Sequence, residues 1–469
     1  MSINWRNKRV VILGAARQGL ALARYLARHG AQVVLNDRRP ADQLQDEMEQ
    51  LALGHVEGVK PLDVEWVTGG HPLSLLESRP DLLCISGGVP LTNPLVQAAV
   101  ADGIPVSNDT QVFMDVVPCK TLGITGSAGK TTTTTLVGRI AQASSGKYAR
   151  IWIGGNIGDP LINYVDEMGH SDLAILEISS FQSEQMTTSP RIAAILNITP
   201  NHLDRHGTME AYTAAKARLL DFQSPGDVSI LGRDDPGAWG LAEKVKGRLF
   251  SFGFSPLPSG QDGAYVENEK FYLREGGRVI RLPVENHIEL RGEHNRLNVL
   301  AACAIAHAAG FSPQDMEAGV TGFQGVPHRL EFVRAWRGAH WYNDSIATAP
   351  ERAMAAVKSF GGPLILLLGG RDKDLPWEDL GKLIRQRVDH VVIFGEAAEK
   401  IQAAIGQRIP GSKPYSLTRA ATCREAVLSA SRLAQPGFII LFSPGGTSYD
   451  EFKDFEERGE RFKEWVREF

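Results

Sequence analysis

The 469-residue chain reads as an α/β protein of three domains. Three observations predict it: short apolar strands alternate with helices at both ends, a glycine-rich strand-to-helix turn sits between them, and the length exceeds what one ordinary core organises. The expected domains are residues 1–118, 119–327 and 328–469.

In the first region, strands are expected at 10–13 and 32–36 around a helix over 19–29; strands at 82–86 and 104–107 bracket a helix over 94–101. Such alternation implies parallel strands with crossover helices, a Rossmann-like domain. The turn GAARQG (14–19), followed by Asp37 at the end of the second strand, mimics a dinucleotide fingerprint. Ala16 replaces its middle glycine, however, and hinders close approach of a pyrophosphate. Another nucleotide-like group fits better, with Asp37 and Arg39 reading a base or ribose and Arg17 near a phosphate. The competing reading is a turn that binds nothing.

The second region opens with TLGITGSAGKTT (121–132), an apolar strand running into a turn with Gly126 and Gly129 and then a helix at Lys130. Glycines let backbone N–H groups face an anion, the helix presents its positive end, Lys130 adds a full charge and the Thr131 hydroxyl suits a magnesium shell. ATP or GTP is the implied ligand. The glycines at 123 and 126, with Ile124 where the strict pattern needs glycine, make this a variant P-loop. Strands at 173–178 and 192–197 follow, then a helix over 295–309. The strand DLAILE (172–177) ends in a carboxylate, where nucleotide-binding sheets hold magnesium beside phosphates. The loop NITPNHLDRH (197–206) follows another strand, so Glu177 and His202 are candidate metal ligands. Lys216, in YTAAKARLL (212–220), reads by itself as a solvated helix lysine.

The third region alternates again, with strands at 336–342, 364–368, 390–394 and 438–443, a helix over 377–386 and a terminal helix from about 449. It reads as a second Rossmann-like domain. Arg329 and Asp344 take loop positions, and an arginine facing phosphates is a common device for stabilising phosphoryl charge. Lys373 after GGRD, and Ser448 with Tyr449 after PGGT, suit an anionic acceptor. Glycine pairs at 69–70, 87–88, 154–155, 369–370 and 445–446 mostly follow apolar runs, where open α/β sheets place ligands.

A formal charge of −4 and a pI near 6.3 leave no electrostatic footprint for nucleic acid. The four cysteines, at 84, 119, 303 and 423, form no C-x-x-C pair and read as reduced thiols. No stretch approaches the roughly 20 apolar residues of a membrane span. A cytoplasmic monomer without nucleic-acid or membrane partners is expected.

Seven separated blocks now carry a family resemblance: TGSAGKTT (125–132), GGNIG (154–158), LEISSFQ (176–182), NITPNHLDR (197–205), GEHNRLN (292–298), VPHRLE (326–331) and NDSIAT (343–348). In this order the chain resembles the ATP-dependent Mur ligases over nearly its whole length, and the E-x-S-S-F-Q block resembles the glutamate-adding branch. The resemblance implies amide ligation in peptidoglycan precursor synthesis: ATP phosphorylates the carboxylate of UDP-N-acetylmuramoyl-L-alanine, and the amine of D-glutamate displaces phosphate from the acyl phosphate. L-glutamate is the alternative acceptor.

By matching blocks, the resemblance assigns ATP to Gly126, Ser127, Gly129, Lys130, Thr131, Thr132, Asn295, Asn298, Arg329 and Asp344. Two magnesium ions would draw on Thr131, Glu177, His202 and Lys216, the last as a carbamate. Lys130, Glu177, His202 and Lys216 form the expected catalytic set. Arg17, Asp37, Arg39, Asn156 and Ser179 would hold the UDP substrate, Asp37 and Arg39 at uracil. Thr348, Lys373, Ser448, Tyr449 and Phe455 would hold glutamate. The chain departs from the pattern at Ala128, where asparagine is usual, at Ile346, where many members have lysine, and at Thr447 and Tyr449. Two readings of other classes compete: an NAD-dependent oxidoreductase built on the amino-terminal turn, and a nucleotide-regulated binding protein.

Overall fold

The computed structural model describes residues 3–53, 62–290, 292–372 and 375–469. It contains two compact units, Met1–Phe323 and Gln324–Phe469.

The first unit holds two sheets. Strands β1 (Arg9–Leu13), β2 (Gln32–Asp37), β3 (Val64–Thr68), β4 (Leu82–Ile85) and β5 (Val106–Ser107) pair in parallel in the order β3-β2-β1-β4-β5. The chain reverses direction across the sheet between β1 and β4, the switch point where doubly wound sheets open a ligand crevice. There the Ser86 hydroxyl donates to Gly14 O at 3.0 Å, joining the two strand-end turns.

The second sheet comprises β6 (Lys120–Thr125), β7 (Ile151–Gly155), β8 (Leu173–Glu177), β9 (Ile192–Ile195), β10 (Val228–Gly232), β11 (Arg248–Gly253), β12 (Asp262–Glu267), β13 (Lys270–Glu275) and β14 (Arg278–Leu282). Their order is β14-β13-β12-β11-β10-β9-β6-β8-β7. Every residue of β8 is buried, as expected of a parallel strand covered on both faces. Register sets Ile124 beside Glu177 and Thr125 beside Ile195, so the glycine turn, Glu177 and the 196–202 loop emerge side by side.

The second unit carries β15 (Glu331–Trp336), β16 (Ala339–Asn343), β17 (Leu364–Gly369), β18 (His390–Phe394), β19 (Ser416–Arg419) and β20 (Ile439–Gly445), ordered β15-β16-β20-β17-β18-β19. Asn343 pairs with Phe442 and Gly369 with Gly445, which brings the loops after β16, β17 and β20 together.

Three expectations need correction. The single strand at 336–342 is a hairpin: Arg337 and Gly338 both take positive φ, 50° and 75°, the geometry of a tight turn between antiparallel strands. The terminal helix begins at Phe455, where the Asp454 side chain accepts from Glu457 N at 2.7 Å and fixes the start; Tyr449 therefore lies in a loop. Strands β10 to β14 have no counterpart in the sequence reading. Their two antiparallel hairpins turn at Asn268–Glu269 and Gly276–Gly277, all four residues at positive φ.

Candidate active site

The turn after β6 is held from two sides within the first unit. Gly129, at φ 83°, precedes the helix Lys130–Ala143, and a Cβ there would come within 2.3 Å of Asn298 Oδ1. Only glycine therefore fits, and Asn298, bonded through its amide to Asn295 Oδ1, faces the turn from the helix Glu293–Ala309. On the other side Ser127 N donates to Asn197 O at 3.0 Å. Ala128 N donates to Asn197 Oδ1 at 2.8 Å, and Asn197 Nδ2 returns a bond to Ala128 O at 3.0 Å. The Ser127 hydroxyl lies 2.9 Å from both Thr199 O and the Tyr212 hydroxyl.

Two lysine amino groups converge on one carbonyl. Lys130 Nζ donates to Gly126 O at 2.8 Å, and Lys216 Nζ to the same oxygen at 3.1 Å and to Thr125 Oγ1 at 3.3 Å. Lys216 is only 1% exposed, which corrects its reading as a solvated lysine: the small residues around it on Met209–Asp221 pack that helix face inward. Burial, reinforced by the charge on Lys130 and opposed by Glu177, pushes its pKa down to about 6. At neutral pH it is therefore mainly a free amine.

Glu177, at the end of β8, accepts from Asn156 Nδ2 through Oε1 at 2.8 Å. Its Oε2 is buried without a hydrogen-bond partner, a costly state for a carboxylate unless a cation completes it. Gly155 takes φ 98°, and a Cβ there would strike Glu177 O at 2.4 Å, so glycine is required for Asn156 to reach the carboxylate. Ser179 caps the next short helix in a reciprocal box with Gln182. His202 sits at the end of the 197–202 loop with φ 53°, its ring edge-on to Phe181 with centroids 5.1 Å apart. Among the described residues no three His, Cys, Asp or Glu side chains converge as a metal cluster.

At the amino-terminal sheet, Asp37 Oδ2 accepts from Ala15 N at 2.8 Å, and Oδ1 from Arg39 N at 2.9 Å and Arg39 Nε at 3.1 Å. Burial works against its charge, but these bonds hold the carboxyl below the usual range. Arg17 is exposed at the first turn of the helix Arg17–Arg28. Sequence reasoning gave no role to Arg205, which joins the two sheets of this unit. Its guanidinium lies 4.4 Å from the Phe181 ring and donates to Gly87 O at 3.2 Å and Val89 O at 3.3 Å. The signal available was its place in the NITPNHLDR block, beside the noted Gly87–Gly88 turn.

In the second unit Asp344 accepts from Ser443 Oγ at 2.7 Å and Leu330 N at 3.2 Å. Burial pushes its pKa up to about 6, while those bonds, Arg329 and Arg352 oppose the rise. Arg329 is exposed, Ser448 buried and Tyr449 exposed; Thr348 and Phe455 are half-buried. Lys373 lies outside the described residues.

Family models match three stretches of the chain. The MurD-like N-terminal domain of Mur ligases matches residues 8–108, the Mur ligase middle domain 124–306 and the glutamate ligase domain 328–446. A UDP-N-acetylmuramoylalanine–D-glutamate ligase from Symbiobacterium thermophilum is 38% identical over 459 residues, covering 98% of each chain. The chain belongs to the Mur ligase family. A second ligase of that name, from Pelotomaculum thermopropionicum, is 39% identical over 99% of this Mur ligase and 98% of its own length. The fold is also that of a solved UDP-N-acetylmuramate–alanine ligase from Thermotoga maritima: TM-score 0.53, 17% identity, 98% of this chain and 99% of that one. MurF from Acinetobacter baumannii matches with TM-score 0.53 and 22% identity over 76% of this chain and 81% of its own. Among the described residues no helix is long and apolar enough to cross a membrane.

Proposed function

We propose that this Mur ligase joins D-glutamate to UDP-N-acetylmuramoyl-L-alanine at the expense of ATP, in peptidoglycan precursor synthesis. The observation that carries the reading is the cluster around Gly126 O: a glycine turn with two converging lysines beside a buried carboxylate that has one oxygen unpartnered. A carboxylate resists attack by an amine until one oxygen becomes a leaving group. Its oxygen takes the γ-phosphoryl group of ATP and ADP leaves. The glutamate nitrogen then adds to the acyl carbon, and the tetrahedral adduct collapses to an amide with loss of phosphate and a proton.

In this reading Gly126, Ser127, Gly129, Lys130, Thr131 and Thr132 cradle the phosphates, and Asn295 and Asn298 flank them. Arg329 and Asp344 serve ATP from the carboxyl-terminal domain. Thr131, Glu177, His202 and a carbamylated Lys216 would hold two magnesium ions, which would neutralise phosphate charge during transfer. The low pKa of Lys216 supports that role, because only an unprotonated amine attacks carbon dioxide. Arg17, Asp37 and Arg39 bind the uridine end of the donor, Asn156 and Ser179 its sugar end. Thr348, Lys373, Ser448, Tyr449 and Phe455 hold glutamate. The functional division is 1–118 for donor, 119–327 for ATP and 328–469 for acceptor, in a cytoplasmic monomer.

Phosphate release, followed with ATP and UDP-N-acetylmuramoyl-L-alanine present, should require added glutamate and be faster with the D than with the L enantiomer. Equal release without any amino acid would overturn the reading in favour of a nucleotide switch.

A further inference from the structure

Arg458, on the terminal helix Phe455–Arg467, has no part in the scheme above, yet it is fully buried. Its Nε donates to Ser345 Oγ at 3.0 Å, Nη2 to Ser345 O at 2.8 Å and Nη1 to Gly446 O at 3.0 Å. The Ser345 hydroxyl donates in turn to Phe455 O at 2.7 Å. A Cβ at Gly370, where φ is 96°, would come within 2.9 Å of Nη1. One guanidinium thus touches the segments after β16, β17 and β20. The three are also tied to one another: Gly445 N donates to Ala347 O at 2.7 Å, and Arg371 and Thr447 exchange backbone bonds of 2.8 and 2.9 Å.

The charge is harder to account for than the bonds. Among the described residues every hydrogen-bond partner of Arg458 is neutral, and burying an ion against neutral dipoles costs several kcal/mol. Asp450 and Glu451 attract it only from beyond ion-pair distance. Packing alone would be served as well by an apolar side chain. Residues 344–348 and 444–449 contain no lysine or arginine, and in the loop after β17 Arg371 is paired with Glu396 at 2.9 Å while Lys373 is assigned to glutamate directly. The loops assigned to a dicarboxylate acceptor therefore have Arg458 as the cation buried directly behind them.

We infer that Arg458 is a positioning residue for the acceptor: it locks the three strand-end loops in one geometry and lends them the positive charge that draws glutamate's carboxylates. This rests on the assignment of those loops to glutamate. Wild-type enzyme that releases no phosphate in response to glutamate overturns that assignment itself.

With an active wild type, initial rates against glutamate at saturating ATP and donor test Arg458 alone. Arg458→Gln, which keeps donors and removes charge, should raise the glutamate KM about ten-fold or more, leaving kcat within about three-fold and the ATP KM unchanged. Arg458→Lys should recover much of that loss. An unchanged glutamate KM, or a fall in kcat without a change in KM, overturns the inference. Should Arg458→Gln lose its cooperative melt, Ser345→Ala decides instead: it removes the hydroxyl linking Arg458 to Phe455. A rise in glutamate KM of about three-fold is expected, and no rise overturns the inference.

Discussion

Lys216 and Arg458 are both buried basic side chains at the carboxyl ends of parallel strands, one in each unit, and both donate to a carbonyl of a glycine turn. Their environments use them in opposite ways. Burial, with the like charge of Lys130, brings Lys216 to about 6, so it is an uncharged amine at neutral pH. Burial brings Arg458 only to about 10, so it keeps its proton. A compact ammonium deprotonates when desolvated, whereas a delocalised guanidinium does not. The same location thus yields an uncharged amine in the first unit and a fixed charge in the second.

The sharpest way to break this contrast is Lys216→Arg, which installs the fixed charge where the amine is needed. Activity should fall about a thousand-fold, as should that of Lys216→Ala, since the carbamate cannot form in either. Short-chain carboxylates should restore part of the activity of Lys216→Ala, where a space is left, and none in Lys216→Arg. Full activity in Lys216→Arg, measured by phosphate release, would remove the amine from the mechanism.

The pH profile sharpens it next. As pH falls through about 6, Lys216 takes up a proton and can no longer be carbamylated, so activity should drop. Asp344, raised to about 6, protonates over the same range. Asp344→Asn separates them: an acid limb near 6 that survives in the remaining activity belongs to Lys216. The stability sign follows from the same shift. Between about 6 and the ordinary lysine value the unfolded, uncarbamylated chain binds the extra proton, so the Lys216 contribution makes stability rise with pH across that window. Urea midpoints at pH 6 and 9 for wild type and Lys216→Met measure it; a pH slope identical in both would contradict the burial of a neutral amine.

The two halves also differ in how much of them the sequence reveals. The glycine turn, Glu177 and the strands around them announce themselves because the backbone there restricts residue type: Gly129 and Gly155 leave no room for a side chain, and the helix opens at Lys130. Lys216 was not legible by itself, since no pattern in a small-residue helix says which face is covered. Arg458 gave even less: among FEERGERFKEWVR (455–467) it is one of several charges, and only the register of the helix singles it out as buried. The hairpin strands β13 and β14 were missed although Gly276–Gly277 marked a turn, because charged residues interrupt their apolar pattern: KFYLRE and RVIRL.

A smaller effect is expected at Asn197, whose amide bonds both backbone groups of Ala128. Asn197→Ala removes two hydrogen bonds, roughly 1–3 kcal/mol in all, and frees the tip of the phosphate turn. The ATP KM should rise several-fold while the glutamate KM stays put, the mirror image of Arg458→Gln. Parallel rises in both would mean that the turn and the acceptor loops respond to general loosening.

The smallest expected effect is the control for the second unit. Asp454 caps the helix that carries Phe455 and Arg458, accepting from Glu457 N at 2.7 Å. Asp454→Ala should lower stability by about 1 kcal/mol, as cap removal usually does, and be read as a lower urea midpoint. Arg458 lies a turn further along and is held by three bonds to Ser345 and Gly446 that the cap does not touch. The glutamate KM should therefore be unmoved. Were it to rise as far as in Arg458→Gln, helix stability rather than the buried charge would govern the acceptor loops.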